Sequence, residues 1–527
     1  MLEIYLNNTC DQALNRKGDK MKKLVLLVMA LTLALCCFGL SFAEEYKDTF
    51  YTAYGGDLDT ADPYGSASGQ SQFFTNLTFD TLTYVNADTG EICPELAIAW
   101  EDVSEAGNGG DWKVELAQGV KFHDGTDLTS EDVKFTWEYA AVGAGNVVKG
   151  LTAANYVSEI EIVDDYTLIF HLVSPMPDFP SYMETKIYSK DAFDTKEAAD
   201  AAVIGSGPYY YDSELVLSGQ QYGVTRFEEY WQGTENHPSK HIVFKYIADE
   251  NTRVAALAAG EIDFLFNVQP SSFETVSNLE NVNIYTRTGA SSYYLGFNYA
   301  RDFNQDLEVR KAFAQAINKD DIIAVAFEDG IGGTANYNFV VPTGLGYTEV
   351  EPIEYDLEAA QKTIKEKGLE GKTLTIAFYS ACRPIAEVLQ AHFAMLGVNL
   401  ELKQVDSANW TSFKSAKAEY DFFLDYCAYQ GALLYNFNRF FNTTGSSNLF
   451  GYSDPVYDEM EQEVLNAGSW DNMLVKFYDL EQWVADNIPV FPLAYSNQLT
   501  AGSDKVGGVV LAPSNNYLDL STFYVTK

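Results

Sequence analysis

The sequence predicts a mixed α/β fold built around two or three hydrophobic cores. Strand-like and helix-like segments alternate along the chain without a short internal repeat, a pattern typical of α/β domains. The chain has 527 residues, too many for one core, and 47% of them are hydrophobic, which is enough to fill several. The expected protein is therefore globular and has more than one domain.

Local patterns predict individual elements. Residues 168–172 and 242–247 are short apolar runs that predict strands. Residues 252–259 predict a helix that Gly260 ends, and residues 308–317 predict another because their apolar positions recur three and four apart. Both element types of an α/β fold are thus present.

A helix followed at once by a strand is predicted near the centre of the chain. The helical pattern covers residues 385–396 and ends at Gly397, and a strand pattern follows at 398–402. A helix and a strand at this spacing make up half of a βαβ unit, in which the two strands run parallel.

Residues 119–137 predict a strand end, a tight turn and a capped helix. Residues 120–122 alternate as in a strand, and residues 124–125 (Asp-Gly) supply the turn. Thr129 is placed to cap the helix, with Asp132 three residues later as its capping-box partner. This module predicts structure and by itself specifies no chemistry.

The N-terminal region predicts a secretory signal peptide. Residues 21–23 (Met-Lys-Lys) open a short basic region, and residues 24–40 are an apolar run. Residues 41–43 (Ser-Phe-Ala) form a cleavage site. Cleavage is therefore predicted after Ala43, with Met21 or Met1 as the start. A retained membrane anchor is the alternative, but seventeen apolar residues are at the short end of what a bilayer requires.

Lipid attachment at Cys36 or Cys37 is a second alternative. Lipoprotein signals place a small residue directly before the cysteine, whereas here Leu35 precedes Cys36 and Cys36 precedes Cys37. Simple cleavage is favoured, so we expect the mature protein outside the cytoplasm, in the periplasm or at the cell surface.

Composition excludes several classes of function. The first 43 residues carry five basic and three acidic residues, so their removal leaves 29 basic and 72 acidic residues, a net charge of about −43. Such a charge disfavours nucleic acids and anionic lipids as partners. Only Cys93, Cys382 and Cys427 remain after the signal, so the protein is not a disulfide scaffold.

An enzyme is also disfavoured. The chain has five histidines and no G-x-S-x-G elbow, P-loop or C-x-x-C pair. His237 and His241 are four residues apart, but Pro238 and the missing glutamate argue against a helical zinc motif. No catalytic residue, metal or cofactor is predicted.

Short motifs in a fixed order carry a family resemblance. The stretch G-V-K-F-H-D-G-T-D-L-T-S-E-D-V begins at Gly119, and other motifs lie before and after it. They are D-P at 62–63, P-E-L-A-I-A-W at 94–100, G-S-G-P-Y at 205–209, E-Y-W at 229–231, A-A-G-E-I-D at 258–263, D-L-E-V-R-K-A at 306–312 and A-I-N-K at 316–319. In this order they resemble the extracytoplasmic solute-binding proteins of family 5, the peptide, dipeptide and nickel receptors of ABC importers.

The resemblance implies a periplasmic-binding-protein-like clamshell of class II: two lobes joined by crossing strands, with an additional domain and the ligand enclosed between the lobes. It implies three domains after the upstream extension and signal peptide at 1–43. Domain I would be discontinuous and comprise 44–80, 203–295 and 487–527, domain II would be 81–202, and domain III would be 296–486.

The candidate ligand-binding residues lie mainly in the aromatic-rich stretch from 421 to 441. A binding cleft is walled by aromatic side chains with a few polar groups among them, and Tyr426, Tyr429, Tyr435 and Arg439 meet that description. The alternative is that these rings pack in the core of domain III.

The resemblance also marks a departure. In the peptide-binding relatives a carboxylate after the equivalent strand pairs with the α-amino group of the ligand, whereas Tyr429 stands at that position here. Asp425 is the nearest acid that can substitute. Arg383 is the candidate partner for a ligand carboxylate, and the alternative is a surface arginine that caps a loop.

The function that the resemblance implies is that of the substrate-binding subunit of an ABC importer, which captures a peptide outside the membrane and delivers it to a permease with paired ATPases. The alternative ligands are a non-peptide solute such as an oligosaccharide, or nickel or haem. The alternative role is sensing rather than import, which uses the same fold. We expect a monomer that binds no nucleic acid.

Overall fold

The computed structural model describes residues 46–527 except 66–67, 87–90, 106, 143–155, 343, 407–408, 418, 429–432 and 512–519. The predicted signal peptide and the cleavage site at Ala43 therefore lie outside the described residues. Within the described ranges, no helix combines the length and the apolar character that crossing a bilayer requires.

Strands and helices alternate along the chain, which confirms the predicted mixed α/β class. The strands are β1 (Thr49–Tyr54), β2 (Thr83–Val85), β3 (Ile92–Pro94), β4 (Ala97–Asp102), β5 (Asp111–Leu116), β6 (Val157–Asp164), β7 (Thr167–Leu172), β8 (Tyr209–Tyr211), β9 (Gln221–Arg226), β10 (His241–Tyr246), β11 (Phe264–Leu265), β12 (Val282–Phe297), β13 (Gly333–Ala335), β14 (Thr373–Phe378), β15 (Asn399–Gln404), β16 (Phe422–Ala428), β17 (Val490–Ser503), β18 (Val506–Gly507) and β19 (Tyr524–Val525).

The helices fill most of the connections between these strands. They are α1 (Gly69–Thr78), α2 (Ser130–Val142), α3 (Lys190–Thr195), α4 (Ala198–Ala201), α5 (Glu250–Ala258), α6 (Phe273–Ser277), α7 (Asp302–Gln305), α8 (Leu307–Gln315), α9 (Lys319–Ala326), α10 (Leu357–Glu366), α11 (Arg383–Met395), α12 (Trp410–Ala416), α13 (Tyr435–Phe441), α14 (Pro455–Leu465) and α15 (Trp470–Asn487).

One large sheet organises the molecule, in the order β15-β14-β16-β12-β17-β11-β1-β10-β9-β8, with β13 paired to β17. Two strands at its centre, β12 and β17, are much longer than the rest and pair antiparallel along most of their length. We call β1 and β8–β11 the first half of the sheet and β14–β16 the second half. The two long strands join these halves.

Each half of the sheet packs on its own hydrophobic core. The end of β12 that pairs with β17 beside β11 contributes Ile284 to a core that contains Val254 and Leu257 of α5. The opposite end of β12 contributes Leu295 to a core that contains Leu389 of α11. The long strands therefore begin in one core and end in another.

A separate antiparallel sheet, β4-β5-β7-β6, forms a third core with α2. Val120, Phe122 and Trp137 from the module at residues 119–137 are buried in this core. One half of the predicted capping box is confirmed: the Asp132 carboxylate accepts a hydrogen bond from the Thr129 backbone N–H at 2.8 Å, while the Thr129 hydroxyl donates to the same carboxylate at 3.1 Å.

The module also contacts the G-S-G-P-Y turn through His123. Its Nε2 donates to the Gly207 carbonyl oxygen at 2.9 Å, and its Nδ1 accepts from the Gly205 N–H at 3.3 Å. Burial lowers the pKa of His123 to about 4, so the ring is neutral at physiological pH. The His123 side chain therefore connects two motifs that are far apart in the sequence.

Most local predictions are confirmed within one or two residues. The predicted helices correspond to α5, α8 and α11, and Gly260 and Gly397 follow α5 and α11 with φ angles of +70° and +77°. The predicted strand end at 120–122 is smaller than expected: it forms an isolated bridge, Lys121 to Asp127, around a turn in which Gly125 has φ of +87°.

Candidate ligand-binding site

Strand directions bring the carboxyl ends of two sets of parallel strands toward the same region. β14 and β16 are parallel to each other, and β16 is antiparallel to β12. β1 and β11 are parallel to each other, and β11 is antiparallel to β17 and therefore runs with β12. The carboxyl ends of the two halves consequently face each other across the middle of the long strands.

The hydrogen-bonded ladder between β12 and β17 is irregular in the middle of the two strands, between these two sets of carboxyl ends. Ladder pairing breaks between Thr288 and Ser292, next to Ser291, which pairs with the last residue of β16, Ala428. Ile284 lies seven residues before Ser291, at the level where the strands of the first half end. Roughly 20 Å of extended strand thus separates the two sets of carboxyl ends.

The second half of the sheet also contains a topological switch point. β14 pairs with β15 on one side, reached through α11, and with β16 on the other side. In open α/β sheets, ligands bind in the crevice outside the carboxyl ends of strands at such a point. The loops that follow β14 and β16 are therefore the expected walls of a site.

Five aromatic rings line this edge, and we call them the aromatic row: Trp410, Tyr379, Tyr426, Tyr293 and Phe327. Successive ring centroids are 5.6, 5.8, 5.5 and 5.4 Å apart. These distances are within the range in which aromatic pairs interact favourably. The row runs from α12, past the end of β14, across β16 and β12, to the residue after α9.

Strand register explains the centre of the row. Tyr293 and Tyr426 are directly opposite each other in the β12–β16 ladder, so their side chains lie on the same face. Tyr426 is 43% exposed, whereas Trp410 at one end is 8% exposed. The row is thus anchored in the protein and open to solvent at Tyr426.

Two phenols of the row, Tyr293 and Tyr379, are uncharged at physiological pH. Burial raises the pKa of Tyr293 to about 12, and burial also raises the pKa of Tyr379. Both side chains therefore keep their protons, and the Tyr379 hydroxyl oxygen is itself buried in the protein.

Asp425 precedes Tyr426 and is engaged within the protein. Its Oδ2 accepts from the Lys414 ammonium at 2.5 Å and from the Trp410 Nε1 at 2.9 Å, and its Oδ1 accepts from the Tyr426 N–H at 3.0 Å. Asp425 and Lys414 are each 7% exposed. The pair therefore fixes Trp410 at the end of the row.

Tyr435 and Arg439 form a second small group on α13. The Arg439 guanidinium lies 5.2 Å from the Tyr435 ring centroid and donates to the Ser447 Oγ at 3.0 Å. Tyr156, just before β6, is close enough that Tyr435 raises its pKa further, after the larger contributions of burial and of Asp178. Neither Tyr435 nor Arg439 makes a ring contact with the five aromatic residues of the row.

The structure does not bring Arg383 to the row. Its guanidinium donates to the Gln404 side chain at 2.7 and 3.1 Å and to Glu387 at 3.3 Å, and its side chain is half exposed. Tyr429, the remaining predicted site residue, lies outside the described residues. Of the six predicted residues, Tyr426 belongs to the row and Asp425 supports it.

The facing edge of the first half is lined by residues that sequence reasoning missed. Tyr54 ends β1, and its hydroxyl accepts from the Asn267 side chain at 3.3 Å. Asn267 follows β11 and has a left-handed φ of +50°. The left-handed backbone of Asn267 is visible only in the structure, and the sequence offers no more than an asparagine, a residue that adopts this conformation readily.

In the part of the chain that the structure describes, no group of three or more His, Cys, Asp or Glu side chains is arranged to hold a metal ion. Among the described residues, Cys93, Cys382 and Cys427 form no disulfide.

Comparisons with known proteins agree with this architecture. Residues 91–448 match the model of the bacterial extracellular solute-binding proteins, family 5. The chain is 26% identical to the dipeptide-binding protein of Escherichia coli (94% of this chain, 97% of that protein) and 23% identical to the oligopeptide-binding protein AppA of Bacillus subtilis (97% and 99%). Its fold is similar to that of the ABC transporter substrate-binding protein CtaP of Listeria monocytogenes, with a TM-score of 0.82, 23% identity and coverage of 92% of this chain and 100% of CtaP.

Proposed function

Because the chain belongs to the bacterial extracellular solute-binding proteins of family 5, we propose that it captures peptides outside the membrane for an ABC importer. It has the periplasmic-binding-protein fold of class II and is a binding protein rather than an enzyme. The names of the E. coli and B. subtilis relatives support a peptide as the ligand. Export by the predicted signal peptide and docking on a permease with paired ATPases are parts of the same proposal.

The aromatic row is the observation that carries the proposal. It lies at a topological switch point, it is open at Tyr426, and it faces Tyr54 and Asn267 of the other half. Aromatic walls with a few polar groups are what a site needs in order to hold a peptide by its side chains and main chain.

Capture by closure is the proposed mechanism. A ligand held on the row stabilises the closed arrangement only through the additional contacts that it makes with the opposite lobe. Such a ligand shifts an existing equilibrium between open and closed arrangements, and the hinge residues absorb the change in backbone angles.

The segment at 327–333 is part of the proposed hinge. Glu328, Asp329 and Gly330 all have positive φ angles, and Ile331 packs on the core of the first half. A Cβ at Gly332 would lie 2.9 Å from Pro270 Cγ, so this loop approaches the first half as closely as a glycine allows. Phe327 ties the same segment to the row.

Calorimetry with two ligand mixtures tests the proposal. We expect heat of binding with a mixture of tri- to hexapeptides and none with cello- or mannooligosaccharides at the same concentrations. Heat with the sugars alone would contradict the peptide proposal and establish the non-peptide alternative, for which stacking of sugar rings on the row provides the physical basis.

Removal of the exposed ring should weaken binding. Tyr426→Ala is expected to reduce affinity for the bound peptides by about 1–3 kcal/mol, since one ring's buried contact area is lost. Tyr426→Phe keeps the ring and should retain most of the affinity. Isothermal titration of both variants measures the difference.

Tyr478→Ala is the matched control for that titration. Tyr478 on α15 is exposed to a similar degree, 38% against 43% for Tyr426, and makes no ring contact with the row. Its replacement should leave affinity unchanged. Unchanged affinity in Tyr426→Ala as well would remove Tyr426 from the site.

A further inference from the structure

We propose that the cavity beside Lys319 binds a halide ion, chloride, which acts as the counter-ion of a buried ammonium group. The cavity lies between the start of α9, the end of α15 and the segment that follows β13. None of the five residues of the aromatic row lines it. The inference is therefore independent of the proposed peptide function.

The first observation is that the Lys319 ammonium is buried among groups that carry no net charge. The residue is 6% exposed, and its Nζ donates a hydrogen bond to the Asn336 carbonyl oxygen. The same Nζ lies 4.0 Å from the Tyr337 ring centroid and 4.5 Å from the Phe491 ring centroid. A carbonyl group and two ring faces attract the cation, but they do not neutralise it.

The second observation is that no acid of the protein pairs with this ammonium. Among the residues that the structure describes, no carboxylate lies within ion-pair distance of Lys319 Nζ, and Glu354 acts on it only as a more distant charge. Burial lowers the pKa of Lys319 to about 7, and the Glu354 charge offsets only part of that effect. A buried charge without a neutralising partner is unfavourable, so this position favours an anion from solution.

The third observation is the cavity itself. Its volume is about 20 Å³, which accommodates one species of the size of a water molecule. Lys319 is the one cation among its lining residues, all of which the structure describes, and the walls include Ile353, Val484, Ile488 and Phe491. A halide ion is close to water in size, whereas sulfate and gluconate are too large for this space.

The acids around the cavity are either exposed or protonated. Glu351 lines the cavity, and Glu354 and Asp320 are close to it in the chain; all three are exposed, so water and salt screen their charges. Glu481 of α15 is buried and accepts a hydrogen bond from the Asn338 side chain at 2.8 Å. Burial raises the pKa of Glu481 to about 8, so this carboxyl group is mostly uncharged at neutral pH.

The ammonium is connected to the long strand β12 through Asn336. The Asn336 carbonyl oxygen accepts from Lys319, and the Asn336 side chain donates to the Ser292 Oγ at 2.6 Å. Ser292 is the residue at which the ladder between β12 and β17 resumes after its break. An ion that holds Lys319 in place therefore supports a contact in the middle of the strands that join the two halves of the sheet.

Thermal unfolding of the purified full chain in sodium chloride and in sodium gluconate, at equal concentration and neutral pH, tests the inference. The measured quantity is the midpoint in chloride minus the midpoint in gluconate. We expect this difference to be larger in the unmodified protein than in Lys319→Met by about 1–3 °C, because an ion that binds only the folded state stabilises it. Equal differences in the two proteins would overturn the inference.

Lys372→Met is the matched control. Lys372 is exposed, and its replacement removes the same charge without touching the cavity. This variant should show the same difference between the two salts as the unmodified protein. A difference reduced equally in Lys372→Met and Lys319→Met would show that chloride acts through net charge rather than at the cavity, and would overturn the inference.

Crystals of the unmodified protein grown with bromide in place of chloride provide a test that does not depend on the folding of any variant. We expect an anomalous scattering peak in the cavity, within about 3.5 Å of Lys319 Nζ. Density for water alone, with no anomalous signal at this position, would overturn the inference.

Discussion

Replacement of Lys414 by methionine is expected to lower the free energy of unfolding by about 3–5 kcal/mol, the largest effect that we predict for a single substitution. Lys414 and Asp425 form a buried ion pair at 2.5 Å, and their side chains are 9% and 10% exposed. Methionine fills a similar volume, so the loss comes from the Asp425 carboxylate, which remains buried without its charge partner.

A double variant separates the charge effect from packing. Lys414→Met combined with Asp425→Asn removes both charges together, and asparagine keeps an acceptor for the Trp410 Nε1–H. We expect the double variant to recover most of the stability lost in Lys414→Met, because a buried pair and an uncharged replacement of similar size differ little in free energy. Urea unfolding of the unmodified protein, Lys414→Met, Asp425→Asn and the double variant measures the coupling.

Two outcomes would contradict this account. Equal stability of Lys414→Met and the unmodified protein would show that water reaches the pair in solution. An additive loss in the double variant would show that the two side chains act independently, and Asp425 would then be available to a ligand.

Replacement of Asp178 by asparagine is expected to stabilise the protein by up to about 4 kcal/mol at pH 8 but by less than about 1 kcal/mol at pH 4. Asp178 is 1% exposed, and among the described residues neither of its carboxylate oxygens has a hydrogen-bond partner. Burial raises its pKa from the ordinary value of 3.8 to about 7, against a smaller effect of its own backbone N–H.

The sign of this effect follows from the protons bound in each state. Well below pH 3.8 Asp178 is protonated in both the folded and the unfolded protein, so it imposes no penalty. Between pH 4 and 7 the unfolded chain ionises while the folded one retains its proton, so stability falls as pH rises. Above pH 7 the loss is complete, and asparagine, which does not ionise, avoids it.

Thermal and urea unfolding at pH 4 and pH 8 check this prediction. Asp504→Asn is the matched control, because Asp504 is exposed in the turn after β17 and its replacement also removes one negative charge from a chain with a net charge of −41. The control should change stability equally at the two pH values. A destabilised Asp178→Asn protein at pH 8 would show that the buried carboxylate has a partner in solution.

Local elements of the fold were predictable because their causes lie within a few residues. The helix stops at Gly260 and Gly397 depend on a left-handed residue that glycine adopts without strain. The hydrogen bond from the Thr129 N–H to the Asp132 carboxylate likewise lies within four residues. His123 differs: its motif was evident, but its contacts to Gly205 and Gly207 join segments about eighty residues apart.

The candidate site was predictable only in part. Tyr426 stood out because aromatic residues crowd the stretch around it. The other members of the row, Tyr293, Tyr379, Trp410 and Phe327, come from four separate segments with no shared local pattern. They meet because β12 pairs with β16 in one particular register and because β14 lies beside β16.

By itself, the sequence determined the fold class, the family and the position of the aromatic-rich stretch, because motif order and hydrophobic periodicity are properties of neighbouring residues. Only the tertiary structure decided how Asp425 is used. Whether a carboxylate is available to a ligand depends on which groups lie within hydrogen-bond distance, and Lys414 and Trp410 reach Asp425 only after α12 has packed against β16. Strand register and packing therefore decide the charge that the site presents.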